Sequence, residues 1–346
     1  MTLDNLDIAE LFAREADGAE GHRKKALQRG AEAALVWDRQ AADLVGDGTP
    51  LTELENIGPK LAARIEAWCQ HPPADLERPP VRAGFMSYAE ARAEVAADRS
   101  WRDELRGDLQ MHTTHSDGKA SIAEMAAAGA DRGYGYVAIT DHSHGLRIVR
   151  GMDEARLAEQ GRAIDGLNAA LGEGPGFRVL RSVEMNLDLE GAGDLEPEAL
   201  ASLDLVLGSF HTGLRLAEDQ TERYVRALDN PDVHVLGHPR ARRFNRRTGL
   251  EADWPRVFDA AARSRRALEI DCHPHRQDLS VELLRKAVEH DVVFTIGTDA
   301  HNPSEMRFVE IGLAAARRAG IGRDRILNFR EVDAVLEWAG DLAGKN

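Results

Sequence analysis

The side chains best suited to chemistry in this chain are its histidines. Thirteen occur. Nine of them (His112, His115, His142, His144, His211, His238, His273, His275 and His301) stand at or just past the C-terminal end of a short, strand-like apolar run. In β/α architectures that end of the strands is where active sites are built. Carboxylates accompany them. Asp117 follows in Gln110-Met-His-Thr-Thr-His-Ser-Asp-Gly118, Asp141 precedes His142, Glu184 ends a strand-like run, and Asp299 stands two residues before His301. Neutral imidazole mixed with carboxylate suits zinc, manganese or iron. A carboxylate can bridge two cations, which an imidazole normally does not. Ligands converging from several strands therefore point to a multinuclear site, which can neutralise phosphate oxygens and hold a hydroxide for phosphoester hydrolysis. Any one of these histidines alone reads more simply as a hydrogen-bonded core or loop residue; the group carries the inference.

Several elements must bring these side chains together. From about residue 105, apolar runs alternate with helix-length segments. The runs are Gly107–His112, Tyr136–His142, Val179–Asn186, Leu203–His211, Val233–His238, Ala267–Asp271 and Val292–Asp299. Strands separated mostly by helices predict β/α units and a parallel sheet. Leu203-Asp-Leu-Val-Leu207 has the nearly continuous apolar texture of a strand buried on both faces. Seven such units favour a closed or nearly closed barrel, with an open doubly wound sheet as the competing arrangement. Residues 1–75 read as a small helical domain, 76–104 as a linker carrying one helix near Tyr88–Ala97, and 105–346 as the barrel. Pro72-Pro73 and Pro79-Pro80 bracket the linker.

Composition narrows the classes. Lys+Arg is 44 and Asp+Glu is 59, a net charge of −15, which argues against a generally basic nucleic-acid coat and leaves room for a local basic groove. No apolar run approaches the roughly 18–20 residues of a membrane span, and the acidic start carries no visible secretory signal. Cys69 and Cys272 are far apart and outside any CxxC pattern, so a cytoplasmic location is expected.

Six ordered motifs then carry a family resemblance. They are Gly107-Asp-Leu-Gln-Met-His-Thr-Thr-His-Ser-Asp-Gly118, Ile139-Thr-Asp-His142, Ser182-Val-Glu184, Gly208-Ser-Phe-His211, Leu236-Gly-His-Pro239 and Gly297-Thr-Asp-Ala-His301. Over roughly residues 105–340 the chain resembles the polymerase and histidinol phosphatase (PHP) family, and within it the C-terminal module of bacterial family X DNA polymerases. The resemblance implies a distorted seven-stranded (β/α)7 TIM-like barrel with three divalent transition metals, manganese, zinc or iron. It implies that His112, Glu184 and Asp299 hold the first metal. Glu184 bridges to a second, held also by His211 and His238, while Asp117, His142 and His301 hold the third. A metal-bound hydroxide held by His112, Glu184, His211 and Asp299 would be the nucleophile. Gln110 replaces the first histidine of the HxH motif and is expected to be a weak ligand. Asp108 and Asp141 are expected to orient histidines, with plain structural hydrogen bonding as the alternative.

Two further features suggest a partner. Pro239-Arg-Ala-Arg-Arg-Phe-Asn-Arg-Arg-Thr248 holds five arginines after a ligand strand. A solvated loop is one reading; phosphate binding through guanidinium forks is the favoured one, with Arg242 as first contact and Arg276 as second. Leu54-x-x-Ile-Gly-Pro-Lys-Leu-Ala-x-x-Ile65 resembles a helix–hairpin–helix, in which Ile57, Gly58 and Lys60 would meet a DNA backbone. Its alternative is a helical hairpin used only for packing. Residues 1–70 resemble the small N-terminal domain of family X polymerases, with Arg64 where lyase-active relatives carry a Schiff-base lysine. Between the two modules, residues 71–105 leave no room for a polymerase core, so nucleotidyl transfer is not expected. The expected function is a metal-dependent phosphoesterase on nucleic acid, a DNA-repair 3′–5′ exonuclease or 3′-phosphatase. The alternatives are a small-molecule phosphatase of the histidinol-phosphatase or nucleotide type and a non-catalytic DNA-binding scaffold. DNA or a nucleotide phosphoester is the expected partner; no membrane and no protein partner is inferred.

Overall fold

In the computed structural model, residues 2–146, 149–172 and 176–342 are described. Seven strands form one parallel sheet in chain order: β1 (Gly107–Asp108), β2 (Tyr136–Ile139), β3 (Arg178–Leu187), β4 (Leu205–Phe210), β5 (Val235–Gly237), β6 (Ala267–Asp271) and β7 (Val293–Gly297). Each lies within or overlaps the apolar run expected of it. Helices connect most of them, because a parallel crossover needs a long return path. The helix Ile122–Asp131 shows how such a connector starts: Ser121 and Glu124 form a reciprocal capping box.

The sheet curls until its ends nearly meet, which decides for the barrel over the open sheet. Beyond β1 and β7, Met111 bridges Ala300 in parallel, and the His112 amide donates to the Ala300 carbonyl at 2.8 Å. Lower down, where an eighth strand would stand, one side chain substitutes. The Asn328 amide donates to the carbonyls of Gly107 (2.9 Å) and Ile296 (2.8 Å), and its oxygen accepts from the Ile296 amide (2.7 Å). Asn328 is fully buried, so these bonds help to satisfy the strand-edge groups of the seam, where the Ile296 carbonyl also accepts from the Leu109 amide at 3.4 Å.

The N-terminal helices are α1 (Asn5–Asp17), α2 (Gly21–Ala34), α3 (Ala41–Asp47) and α4 (Pro59–Gln70). They have a core of their own, built on Phe12, Leu27, Leu35, Trp37 and Ile65. The expected helix–hairpin–helix is not seen as such. A single 3-10 turn, Leu51–Glu53, stands where its first helix should be, and only α4 follows. Asn56 does take a positive φ of 62° in the turn, a conformation asparagine tolerates.

Residues 79–86, part of the segment read as a linker, pack against both the N-terminal helices and the barrel. Arg82 is buried and paired with Glu10 of α1 at 2.7 and 3.1 Å, while also donating to Asn245 of the barrel at 2.8 Å. Phe85 and Phe244 meet edge-on at 5.3 Å inside the N-terminal core, so a barrel residue completes that core. Met86 exchanges two backbone hydrogen bonds with the Gln277 amide, 2.9 and 2.7 Å. A helix, α5 (Tyr88–Ala96), then packs on the barrel. Both cysteines are free thiols. Among the described residues no helix is long and apolar enough to cross a membrane.

Candidate metal centre

The C-terminal ends of the strands deliver the expected side chains to one place. His112 lies past β1, His142 past β2, Glu184 within β3, His211 just past β4, His238 just past β5, and Asp299 and His301 past β7. Glu184 is at the middle. Its Oε1 lies 2.7 Å from His238 Nε2 and 3.2 Å from His211 Nε2; its Oε2 lies 3.0 Å from His142 Nδ1 and 3.5 Å from His112 Nε2. His112 Nε2 also meets Asp299 Oδ1 at 3.0 Å. On the outer side, Asp117 Oδ1 is 3.4 Å from His301 and 3.7 Å from His142. The His112 ring stacks between those of His142 and His301, with centroids 4.5 Å away on each side.

Local backbone serves this convergence. The loop after β1 returns so tightly that a methyl on Gly118 would lie 2.5 Å from the His112 carbonyl oxygen. His238 and Asp299 take positive φ, 25° and 52°. Histidine and aspartate enter that region more readily than most residues, though still uncommonly, and such conformations gather where function requires a side chain to be aimed.

Three overlapping groups have ligand atoms within 4.8 Å of one another: His112, Asp117, His142 and His301; His142, Glu184 and His211; His112, Glu184 and Asp299. Both ring nitrogens of His112, Nδ1 of His142 and Oε2 of Glu184 are buried without a hydrogen-bond partner. Buried polar atoms are normally satisfied, and this set combines borderline imidazole nitrogens with hard carboxylate oxygens. The residues therefore fit divalent transition metals. Burial would raise the Glu184 carboxyl, but the charges of His142, His211 and His238 hold it well below its usual range. Burial lowers the His301 imidazole, yet its bond to Asp117 and the charge of Asp299 prevail and raise it to about 9.

Around this centre the structure corrects several expectations. Arg242 is buried at 4% exposure, stacks on Phe85, and donates to the carbonyls of Ala83 and Gly84 at 3.1 Å. It anchors the loop through Nη2, and its burial leaves almost none of the guanidinium open to a substrate phosphate. Arg276 is at the centre, but its guanidinium is hydrogen-bonded to Asp299. Asp108 ties β1 to β7 through Thr298, at 2.5 and 3.1 Å, and orients no histidine. Asp141 accepts from Thr113, Ser116 and Gln160, which shapes the loop carrying His112 and Asp117. Ile57 is buried and its amide donates to the Leu54 carbonyl, so it cannot serve a DNA backbone; Gly58 and Lys60 are exposed.

Sequence reasoning missed Glu269. It is buried in β6 and accepts from the His238 amide at 2.6 Å. With its amide nitrogen turned inward, Gln110 donates to both Glu269 oxygens, at 2.5 and 3.0 Å. Burial, and then the charge of Asp271, push the Glu269 carboxyl well above its usual range. The signal was present: an acid in mid-strand, Ala267-Leu-Glu-Ile-Asp271, where both faces are buried. His115, His144, His273 and His275 lie at strand ends but fall in none of the three ligand groups.

No family model matches the chain. It is 39% identical over 238 residues to the DNA polymerase/3′–5′ exonuclease PolX of Bacillus subtilis, an alignment covering 68% of this chain and 41% of that protein. The chain thus spans about two fifths of that relative's length. It is 25% identical over 244 residues to a Syntrophotalea carbinolica protein named probable phosphatase, covering 67% of this chain and 95% of that one. The solved structure of histidinol phosphate phosphatase from Lactococcus lactis, complexed with zinc, L-histidinol and phosphate, aligns with a TM-score of 0.42. That alignment is 15% identical and covers 70% of this chain and 93% of that one. The chain is thus similar in sequence to proteins named as a polymerase/exonuclease and as a probable phosphatase, and its seven-stranded barrel gathers three histidine–carboxylate ligand groups.

Proposed function

We propose that the protein hydrolyses phosphoester bonds at the 3′ ends of nucleic acid, as a 3′–5′ exonuclease or 3′-phosphatase. The observation that carries the phosphoesterase part is the position of Glu184. One carboxylate is shared by two ligand groups, and the third group joins them through His112 and His142. In this reading His112, Glu184 and Asp299 would hold one metal, Glu184, His211 and His238 a second, and Asp117, His142 and His301 a third; His238 lies outside the three groups and joins the second through its 2.7 Å contact with Glu184. Such ions, when bound, would neutralise phosphate oxygens and lower the pKa of a water there. The protein's own part is to hold the ligands in register. Gln110 and Glu269 support the His238 backbone from below, and Arg276 orients Asp299.

Nucleic acid is favoured as substrate by two observations. The relative with 39% identity is named as a DNA polymerase and 3′–5′ exonuclease. A loop rich in arginine follows His238 in a chain whose net charge is −15. Gly58 and Lys60, exposed at the start of α4, would add a backbone contact away from the centre. A second reading, a small-molecule phosphatase, is favoured by the phosphatase-named relative that the chain spans almost completely. Purified protein with manganese, given 3′-recessed DNA, 3′-phosphate DNA and histidinol phosphate side by side, separates the two. Preference for either DNA substrate supports the proposal; preference for histidinol phosphate sinks it.

A further inference from the structure

The loop after β5 is a hairpin that presents paired arginines. Arg243 and Arg247 form an antiparallel bridge, each amide donating to the other's carbonyl at 2.9 Å. Directly opposed residues of such a pair project their side chains to the same face. Two like charges placed this way repel. Among the described residues neither arginine has an ion-pair partner, although neighbours do: Arg240 meets Glu251 at 2.5 Å and Arg246 meets Glu32 at 3.2 Å. Burial lowers the Arg247 guanidinium, and the charges of Arg243, Arg276 and Arg215 lower it further. The Arg247 Nε donates to the Ala241 carbonyl at 3.1 Å, and the charges of Glu32 and Asp299 reach Arg243 only from beyond ion-pair distance, so the positive field of the pair is only partly offset.

The hairpin is held in place from behind. Arg242 and Phe244 turn inward onto Phe85. The Asn245 amide donates to the Val81 carbonyl at 3.0 Å. The Phe244 amide donates to the His275 carbonyl at 2.8 Å, which ties the hairpin to the loop carrying Arg276 and so to Asp299. Anchored arginines lose less freedom on binding than flexible ones, which favours a defined ligand over a diffuse ion cloud.

We propose that Arg243 and Arg247 clamp a backbone phosphate flanking the one that is hydrolysed, so that the centre selects polyanionic strands over esters with a single phosphate. Paired guanidinium forks match the oxygens of a phosphodiester. This rests on the nucleic-acid reading above and names the residues that enforce it.

The test compares the wild-type holoenzyme with R243Q/R247Q and R243K/R247K. The first readout is anisotropy of a labelled single-stranded oligonucleotide capped by a 3′ phosphorothioate, over a range of salt. The second is hydrolysis of an uncapped oligonucleotide relative to nitrophenyl phosphate. Metal content and the unfolding midpoint report whether each variant is intact. For R243Q/R247Q we expect oligonucleotide affinity to fall about ten- to a hundredfold. The salt slope should shrink by roughly 0.7 for each phosphate that is no longer neutralised. R243K/R247K should recover the salt slope and part of the affinity. Unchanged affinity and slope in R243Q/R247Q would overturn the clamp while leaving the nucleic-acid reading intact. An equal fractional loss on nitrophenyl phosphate would also overturn it, by putting the pair on the reacting phosphate. A wild-type enzyme that neither binds nor degrades the oligonucleotide would sink the nucleic-acid reading itself, and the clamp with it.

Discussion

The guanidinium carbon of Arg242 lies 3.8 Å from the centre of the Phe85 ring, so an arginine of the barrel's fifth loop is seated on an aromatic from the segment before the barrel. Phe85 in turn belongs to the core of the N-terminal helices. The helical module and the rim of the metal centre are therefore mechanically joined.

Arg242→Ala should first be a stability mutation. A desolvated cation–π contact and two buried hydrogen bonds disappear together, a loss of about 2–4 kcal/mol. Urea unfolding should show it as a lower midpoint. A normal midpoint with a raised KM on DNA would return Arg242 to the substrate.

Deleting residues 1–75 should harm the barrel as well as any DNA contact. It removes Glu10 from the buried Arg82, Glu32 from Arg246, and most apolar neighbours of Phe85 and Phe244. Stranding one partner of a buried ion pair alone costs roughly 3–5 kcal/mol. The truncated protein should unfold earlier and lose part of its activity on nitrophenyl phosphate. Full activity at an unchanged midpoint would mean that these contacts are dispensable.

Glu184→Gln should remove bound metal and hydrolysis together. Changing an outer partner of a ligand already costs about 10–100-fold, and this residue touches four histidines, so its loss should exceed that. Elemental analysis of the variant beside the wild type, where about three ions per chain are expected from the three ligand groups, checks the first half. A nitrophenyl phosphate assay checks the second. His115→Ala, outside those groups, should retain its metal.

Asn328→Ala should open the seam between β1 and β7. It takes a partner from the Gly107 carbonyl and from the Ile296 amide, while the Ile296 carbonyl keeps the Leu109 amide at 3.4 Å; the cost is about 1–3 kcal/mol for each group left without a partner. Faster hydrogen exchange at Ile296 would report the opening locally; exchange at the wild-type rate would show that the seam is held by the neighbouring bonds alone.

Much of the architecture was legible in the residues themselves. Seven apolar runs spaced by helical segments specify a parallel β/α sheet, because strand burial and crossover length are local properties of the chain. Histidines and acids at the ends of those runs already implied a shared site, since all strand ends of a parallel barrel lie on one face. Tertiary structure decided what spacing cannot encode. Arg242 and Arg243 are adjacent in sequence, yet hairpin geometry turns one onto Phe85 and leaves the other beside Arg247. Asn328, far along the chain, closes the barrel because β1 and β7 leave strand-edge groups that water cannot reach. Asp108 reads like a partner for a histidine and instead joins two strands. In each case the outcome depends on which long-range neighbour occupies the remaining space, and that is a property of the packed chain and not of any segment of it.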